Sequence, residues 1–81
     1  MNRMVYCKYK ETKNNIVIYT YGATIDDMTG EVSYDFYSNV VSIEKKPEKY
    51  GVLKRNIIAI LEKNREDFKK GNFKEDIAYE A

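Results

Sequence analysis

From Met4 to Lys10 the side chains alternate, with Val5, Cys7 and Tyr9 on one side and Met4, Tyr6 and Lys8 on the other. A period of two is the signature of a strand, so a first strand is expected over about residues 3–10. The polar run ETKNN supplies turn residues, and IVIYTYGATI, β-branched and aromatic, then predicts a second strand over about 15–25. DDMTGE reads as a three-residue hairpin loop, in which Asp27 opens a type I turn and Gly30 takes the positive φ of a bulge. That loop would set Asp27 opposite Glu31, Thr24 opposite Tyr34, Gly22 opposite Phe36 and Tyr21 opposite Tyr37. A third strand over about 31–37, a tight turn at Ser38-Asn39 and a fourth strand over about 40–45 complete the series.

With the first hairpin closed at Lys13-Asn14, these registers collect Val5, Cys7, Tyr9, Ile16, Ile18, Val32, Tyr34, Phe36, Val41 and Ile43 on one face. That face needs a cover, and the remaining sequence offers one. Pro47 suits a first helical position and Glu48 the positive end of the helix dipole, so a helix is expected over about 48–70. On a helical wheel Tyr50, Leu53, Ile57, Ile60, Leu61, Asn64 and Phe68 fall within about 100° of one another. Gly51 costs about 1 kcal/mol against Ala inside a helix, which makes a start beyond it the alternative. Gly71 is placed to end the helix. The tail, 72–81, either caps the core as a short helix through Phe73 and Ile77 or frays. The expected fold is α+β: a single domain over 1–81, with a four-stranded antiparallel meander sheet packed on one face by a C-terminal helix.

The other sheet face is then left with Met4, Tyr6, Lys8, Val17, Tyr19, Tyr21, Ala23, Ile25, Tyr37 and Val40, relieved only by Ser33, Asp35 and Ser42. Tyr6, Tyr21, Tyr37 and Val40 would form one row across all four strands. A solvated face of an antiparallel sheet is normally polar, so this one invites an explanation. Tyrosine favours strands and keeps its hydroxyl in water, which is the plain explanation. The sharper one is a protein interface made of Met4, Tyr6, Val17, Tyr19, Tyr21, Tyr37 and Val40, used for homodimerisation or for another protein partner. A third is single-stranded nucleic acid stacked on Tyr6, Tyr19, Tyr21 and Tyr37, with Lys8, Lys10 and Lys13 following the phosphates. Asp35, in the middle of that face, weighs against the third.

Charge and composition sharpen this choice. Fourteen basic residues against thirteen acidic leave a net charge of +1, without the excess that phosphate-backbone binding calls for. The signs are uneven along the sequence: 1–21 and 45–74 are net basic, 22–44 and 75–81 net acidic, a pattern that weakly favours self-association. Lys45, Lys46, Lys49, Lys54 and Arg55 gather around the expected helix start, as a solvated face or as a dock for an acidic partner. A protein of 81 residues buries only about 60% of its unfolded surface, so a partner would add stability.

Catalysis finds little support. The sequence has no histidine, the commonest general base and metal nitrogen ligand, and its single Cys7 lies on the expected core face. Asp26, Asp27 and Glu31 lack the spacing of a calcium loop, and no other set suggests a metal or a cofactor. A non-enzymatic interaction module is the expected function. No apolar run has the length of a signal segment or a membrane span, so a cytoplasmic protein with no membrane partner is expected.

Overall fold

The structure is a computed structural model that describes residues 4–80, so Arg3, at the expected start of the first strand, and Ala81 lie outside the described residues. Period-two alternation forms the strands β1 (Met4–Lys13), β2 (Ile16–Gly22), β3 (Gly30–Asp35) and β4 (Val40–Lys45), paired antiparallel in meander order. Two asparagines turn the hairpins. Asn14 at φ 55° sits in the β1–β2 turn and Asn39 at φ 61° closes the loop from Phe36 to Asn39, a left-handed conformation that asparagine tolerates. Asp35 organises that loop. Its Oδ1 accepts the N–H groups of Ser38 (3.0 Å) and Tyr37 (3.0 Å) and the Asn15 side-chain amide (2.8 Å), donors that hold its carboxyl below the usual range.

The fold class is as the pattern predicts, an antiparallel sheet with a helix packed on it, but β2 turns the other way round. Lys13 pairs with Ile16, Thr12 with Val17 and Glu11 with Ile18, then Lys10 bulges out and Tyr9 pairs with Tyr19. One extra residue in a strand reverses which partner side chains share its face. The same reversal occurs at the other edge of β2. No three-residue loop forms at Met28–Gly30; the backbone leaves β2 at Gly22, makes a 3₁₀ turn at Ile25–Asp27 and enters β3 at Gly30, so Tyr21 faces Gly30 and Val17 faces Tyr34. Gly30 takes no positive φ; it is small because a Cβ there would lie 2.6 Å from the Tyr21 ring. The two changes agree with each other, and only β2 exchanges faces. Val17, Tyr19 and Tyr21, expected on the outer face, are buried with Val5, Cys7, Val32 and Tyr34, while Ile16 is 39% exposed.

The cover is α1 (Lys54–Lys63) and α2 (Arg65–Lys69), which bury Ile57, Ile60, Leu61 and Phe68 on the sheet. Asn64 divides them: its side-chain amide donates back to the Ile60 carbonyl at 2.8 Å, a competition with the main-chain ladder that bends helices. Phe68 is the centre of an aromatic cluster, with ring centroids 6.0 Å from Tyr19, Tyr34 and Phe36 and 5.6 Å from Phe73. Gly71, at φ 78°, ends the helix as expected. The tail neither frays nor coils into a helix. It forms a fifth strand, β5 (Asp76–Glu80), antiparallel to β1, so the sheet order is β4-β3-β2-β1-β5. Among the described residues no helix is long and apolar enough to cross a membrane.

The facing of β2 has a direct test in equilibrium denaturation. Tyr19→Ala should cost about 3–5 kcal/mol, as for other large buried aromatics, and Ile18→Ala about 1 kcal/mol or less. The reverse order would place β2 the other way round.

Candidate interaction surface

With β2 reversed, the expected tyrosine face does not form. Tyr19 and Tyr21 are 0% and 2% exposed, and Val17 is buried beside them. Met4 and Tyr6 remain on the outer side of β1, half-buried, and Tyr6 pairs with Gly22 at one end of β2. Val40 pairs with Asp35, which pairs with Ile16 at the other end of β2, and Tyr37 leans on Phe36 in the adjoining loop. Tyr37 and Val40 are 63% and 54% exposed but sit far along the sheet from Met4 and Tyr6. The seven expected interface residues are thus three in the core and two pairs at opposite ends. Between those pairs the outer face shows Lys8, Thr20, Glu31, Ser33 and Glu44 around a half-buried Ile18, with Lys10 paired to Glu31 and Ser33 bonded to Glu44 at 2.8 Å. That is the polar face an antiparallel sheet turns to water.

Large apolar side chains surface instead on two irregular segments at the Gly22 end. One is 23–29, the connection from β2 to β3; the other is 46–53, between β4 and α1. Gly22 lets the first fold back over the sheet, because a Cβ there would collide with the Asp27 carbonyl. The Asp27 carboxylate then ties the two segments together. Its Oδ2 accepts the main-chain N–H groups of Lys49 (2.9 Å) and Tyr50 (3.0 Å), and its Oδ1 accepts the Thr29 hydroxyl (2.8 Å), which itself accepts the Glu48 N–H (2.8 Å). Donation from Tyr50 foremost holds the Asp27 carboxyl below its usual range, against the opposing effect of burial. The N–H groups that a helix starting at residue 48 would present are captured here. That is why α1 begins only at Lys54, with Tyr50 and Leu53 outside the buried stripe.

Ile25, Tyr50 and Leu53 are 74%, 55% and 40% exposed. Leu53 also lines a cleft of about 460 Å³ together with Tyr21, Ile43, Pro47, Gly51 and Val52, with Lys46 and Lys54 at its rim. Lys46, Lys49, Lys54 and Arg55 are all exposed and form no ion pair among the described residues; Lys45 lies 3.7 Å from Glu48. The periodicity concealed Tyr50 and Leu53 by placing them on the helix stripe. The signal that could have found them was local: Gly51 weakens a helix start, and Asp27 had donors to find.

Burial pushes the Cys7 thiol up to about 12, so it behaves as a small apolar side chain. Among the described residues no group of three or more His, Cys, Asp or Glu is placed to hold a metal ion. No protein-family model, curated protein or solved structure matches the sequence.

The Asp27 clamp predicts a pH dependence. A carboxyl depressed from its ordinary 3.8 contributes stability that is present above that value and lost as pH falls through the folded value. Thermal melts of the wild type and Asp27→Asn should differ by a constant amount above about pH 5 and converge toward about pH 2. A gap that stays constant through that acid range would show that the carboxylate charge is not what holds the two segments together.

Proposed function

We propose that this protein is a small non-catalytic interaction module and that the cleft beside Leu53 receives a protein segment bearing an apolar residue flanked by acidic ones. The observation that carries the reading is the pairing of an apolar floor with a cationic rim. Ile43, Pro47, Val52 and Leu53 offer surface that gains from leaving water, and Lys46 and Lys54 stand on either side without acidic partners among the described residues. An acidic residue beside an apolar anchor would complement both features. Rim charges of this kind act mostly on encounter rate and selectivity, and the buried anchor supplies most of the affinity. The clamp supports the reading as well, because a cleft whose walls are already fixed loses less conformational entropy on binding.

The non-catalytic part is supported by the burial of the single thiol and by a sequence that holds no histidine. Homodimerisation through the sheet loses its basis with Tyr19 and Tyr21 in the core, as does nucleic-acid stacking on them. The protein is therefore expected to be monomeric in light scattering at both low and high salt.

Random-peptide display on the immobilised protein tests the cleft. Selection should enrich sequences with an aliphatic or aromatic residue next to Asp or Glu, and Lys46→Glu combined with Lys54→Glu should turn the flanking preference to Lys and Arg. Leu53→Ser should weaken retention in both backgrounds. Winners that ignore flanking charge, or that transfer unchanged to the double variant, would sink the proposal.

A further inference from the structure

The sheet is open, and its order β4-β3-β2-β1-β5 makes β4 one of its edges. Along an antiparallel edge every second residue turns both its N–H and its C=O away from the sheet, a row of groups ready to pair with another extended segment. Unlike β1, β2 and β3, β4 has no buried residue: Val40, Ser42, Glu44 and Lys45 are exposed, and Val41 and Ile43 are half-buried.

The cleft described above is continuous with this edge. Ile43 lines it, so β4 itself forms one wall, and Lys46, at the rim, follows directly on the strand. A segment that seats an apolar side chain against Ile43, Val52 and Leu53 therefore lies beside the open row of main-chain groups.

Sheet edges are commonly guarded by bulges, lysines and proline, and β4 has a bulge at Glu44, then Lys45 and Lys46, then Pro47. These guards are selective. Two basic edges repel one another, which discourages a second copy of β4, whereas an acidic segment is drawn to the same cations. Glu44, the acid of β4, is already bonded to the Ser33 hydroxyl. At the opposite edge β5 begins with Asp76 directly after Glu75, which turns an acidic segment away. Charge thus separates the two edges for one kind of partner.

We infer that the protein segment received by the cleft extends along β4 as an added antiparallel strand, with apolar side chains on the side of Val41 and Ile43 and acidic residues, N-terminal to them, beside Lys45 and Lys46. The antiparallel sense matches every pair in the sheet and brings the N-terminal end of the segment to the Lys45 end of β4. Main-chain bonds along the edge supply affinity, and the cleft chooses the side chain. The inference rests on the cleft reading and adds to it the conformation and direction of the partner.

NMR of the full-length protein with the peptide acetyl-Asp-Asp-Leu-Thr-Val-Thr-amide tests it. Saturable shifts are expected at Leu53 and along β4, and at ten times the Kd every second amide of β4 should exchange with deuterium roughly tenfold more slowly, with β5 unchanged. Neighbouring residues of a strand point their N–H groups to opposite sides. Of two peptides N-methylated at the inner threonine or at the valine, one should therefore bind roughly tenfold more weakly and the other as before. The reversed sequence, Thr-Val-Thr-Leu-Asp-Asp, should also weaken. No saturable shift, equal affinity of the two methylated peptides or of the reversed one, protection at β5 instead of β4, or a dimer in light scattering without peptide would each overturn the strand pairing. The cleft reading is separated by Leu53→Ser: if this variant binds the peptide as tightly as the wild type, the cleft and the pairing fall together. If it loses binding while both methylated peptides still bind the wild type, only the pairing falls.

Discussion

Burying the Tyr19 phenol in the middle of the sheet requires a partner for its hydroxyl, and the partner it finds organises the C-terminal part of the molecule. The hydroxyl donates to the Lys74 carbonyl at 2.7 Å, drawing the tail across the core just before β5 begins. An unsatisfied buried hydroxyl would cost about 1–3 kcal/mol, so this bond matters more for what its absence would cost than for its own strength. With Lys74 fixed there, Phe73 stacks between Phe68 and Tyr9, the Glu75 carbonyl receives the Tyr9 N–H at 2.8 Å, and β5 continues the ladder along β1. Tyr34 shows the same logic on β3, donating to the Asn39 side chain at 2.7 Å and so linking the core to the β3–β4 loop. A core built from tyrosines binds its surroundings by direction as well as by area.

Asp27 plays the corresponding part at the other end. Irregular backbone must send its main-chain donors somewhere, and a buried carboxylate that collects two N–H groups and a hydroxyl lets 23–29 and 46–53 run side by side without a strand or helix between them. The cleft is lined by Gly51, Val52 and Leu53, the residues that follow directly on the two N–H groups the carboxylate holds. The candidate site therefore depends on a segment whose position the Asp27 carboxylate holds.

The molecule divides its surface accordingly. The outer sheet face is mostly polar, with Lys10 on Glu31 and Ser33 on Glu44, while the Gly22 end carries the exposed Ile25, Tyr50 and Leu53 beside Lys46, Lys49, Lys54 and Arg55, which form no ion pair among the described residues. Function in small domains concentrates on loops that a rigid scaffold positions, and here the scaffold is the five-stranded sheet with its aromatic cluster.

The amino-acid pattern alone determined that there would be strands at the first four places, that asparagines would turn two of the hairpins, and that Ile57, Ile60, Leu61 and Phe68 would meet the sheet. Each of these follows from local periodicity or local backbone preference, which neighbouring residues carry in full. It also determined the core face of β1, β3 and β4, where one side of the strand is plainly the more apolar. β2 is different: Ile16 and Ile18 compete with Val17, Tyr19 and Tyr21, both sides are apolar, and periodicity cannot choose between them. Only the tertiary structure decided, through a bulge at Lys10 and a long connection over Gly22, whose cause lies in contacts between residues far apart in the sequence. The late start of α1 and the pairing of β5 with β1 were decided in the same way. Asp27 and Tyr19 each needed a partner more than twenty residues away, and a hydrogen bond of that span leaves no trace in the pattern of either segment.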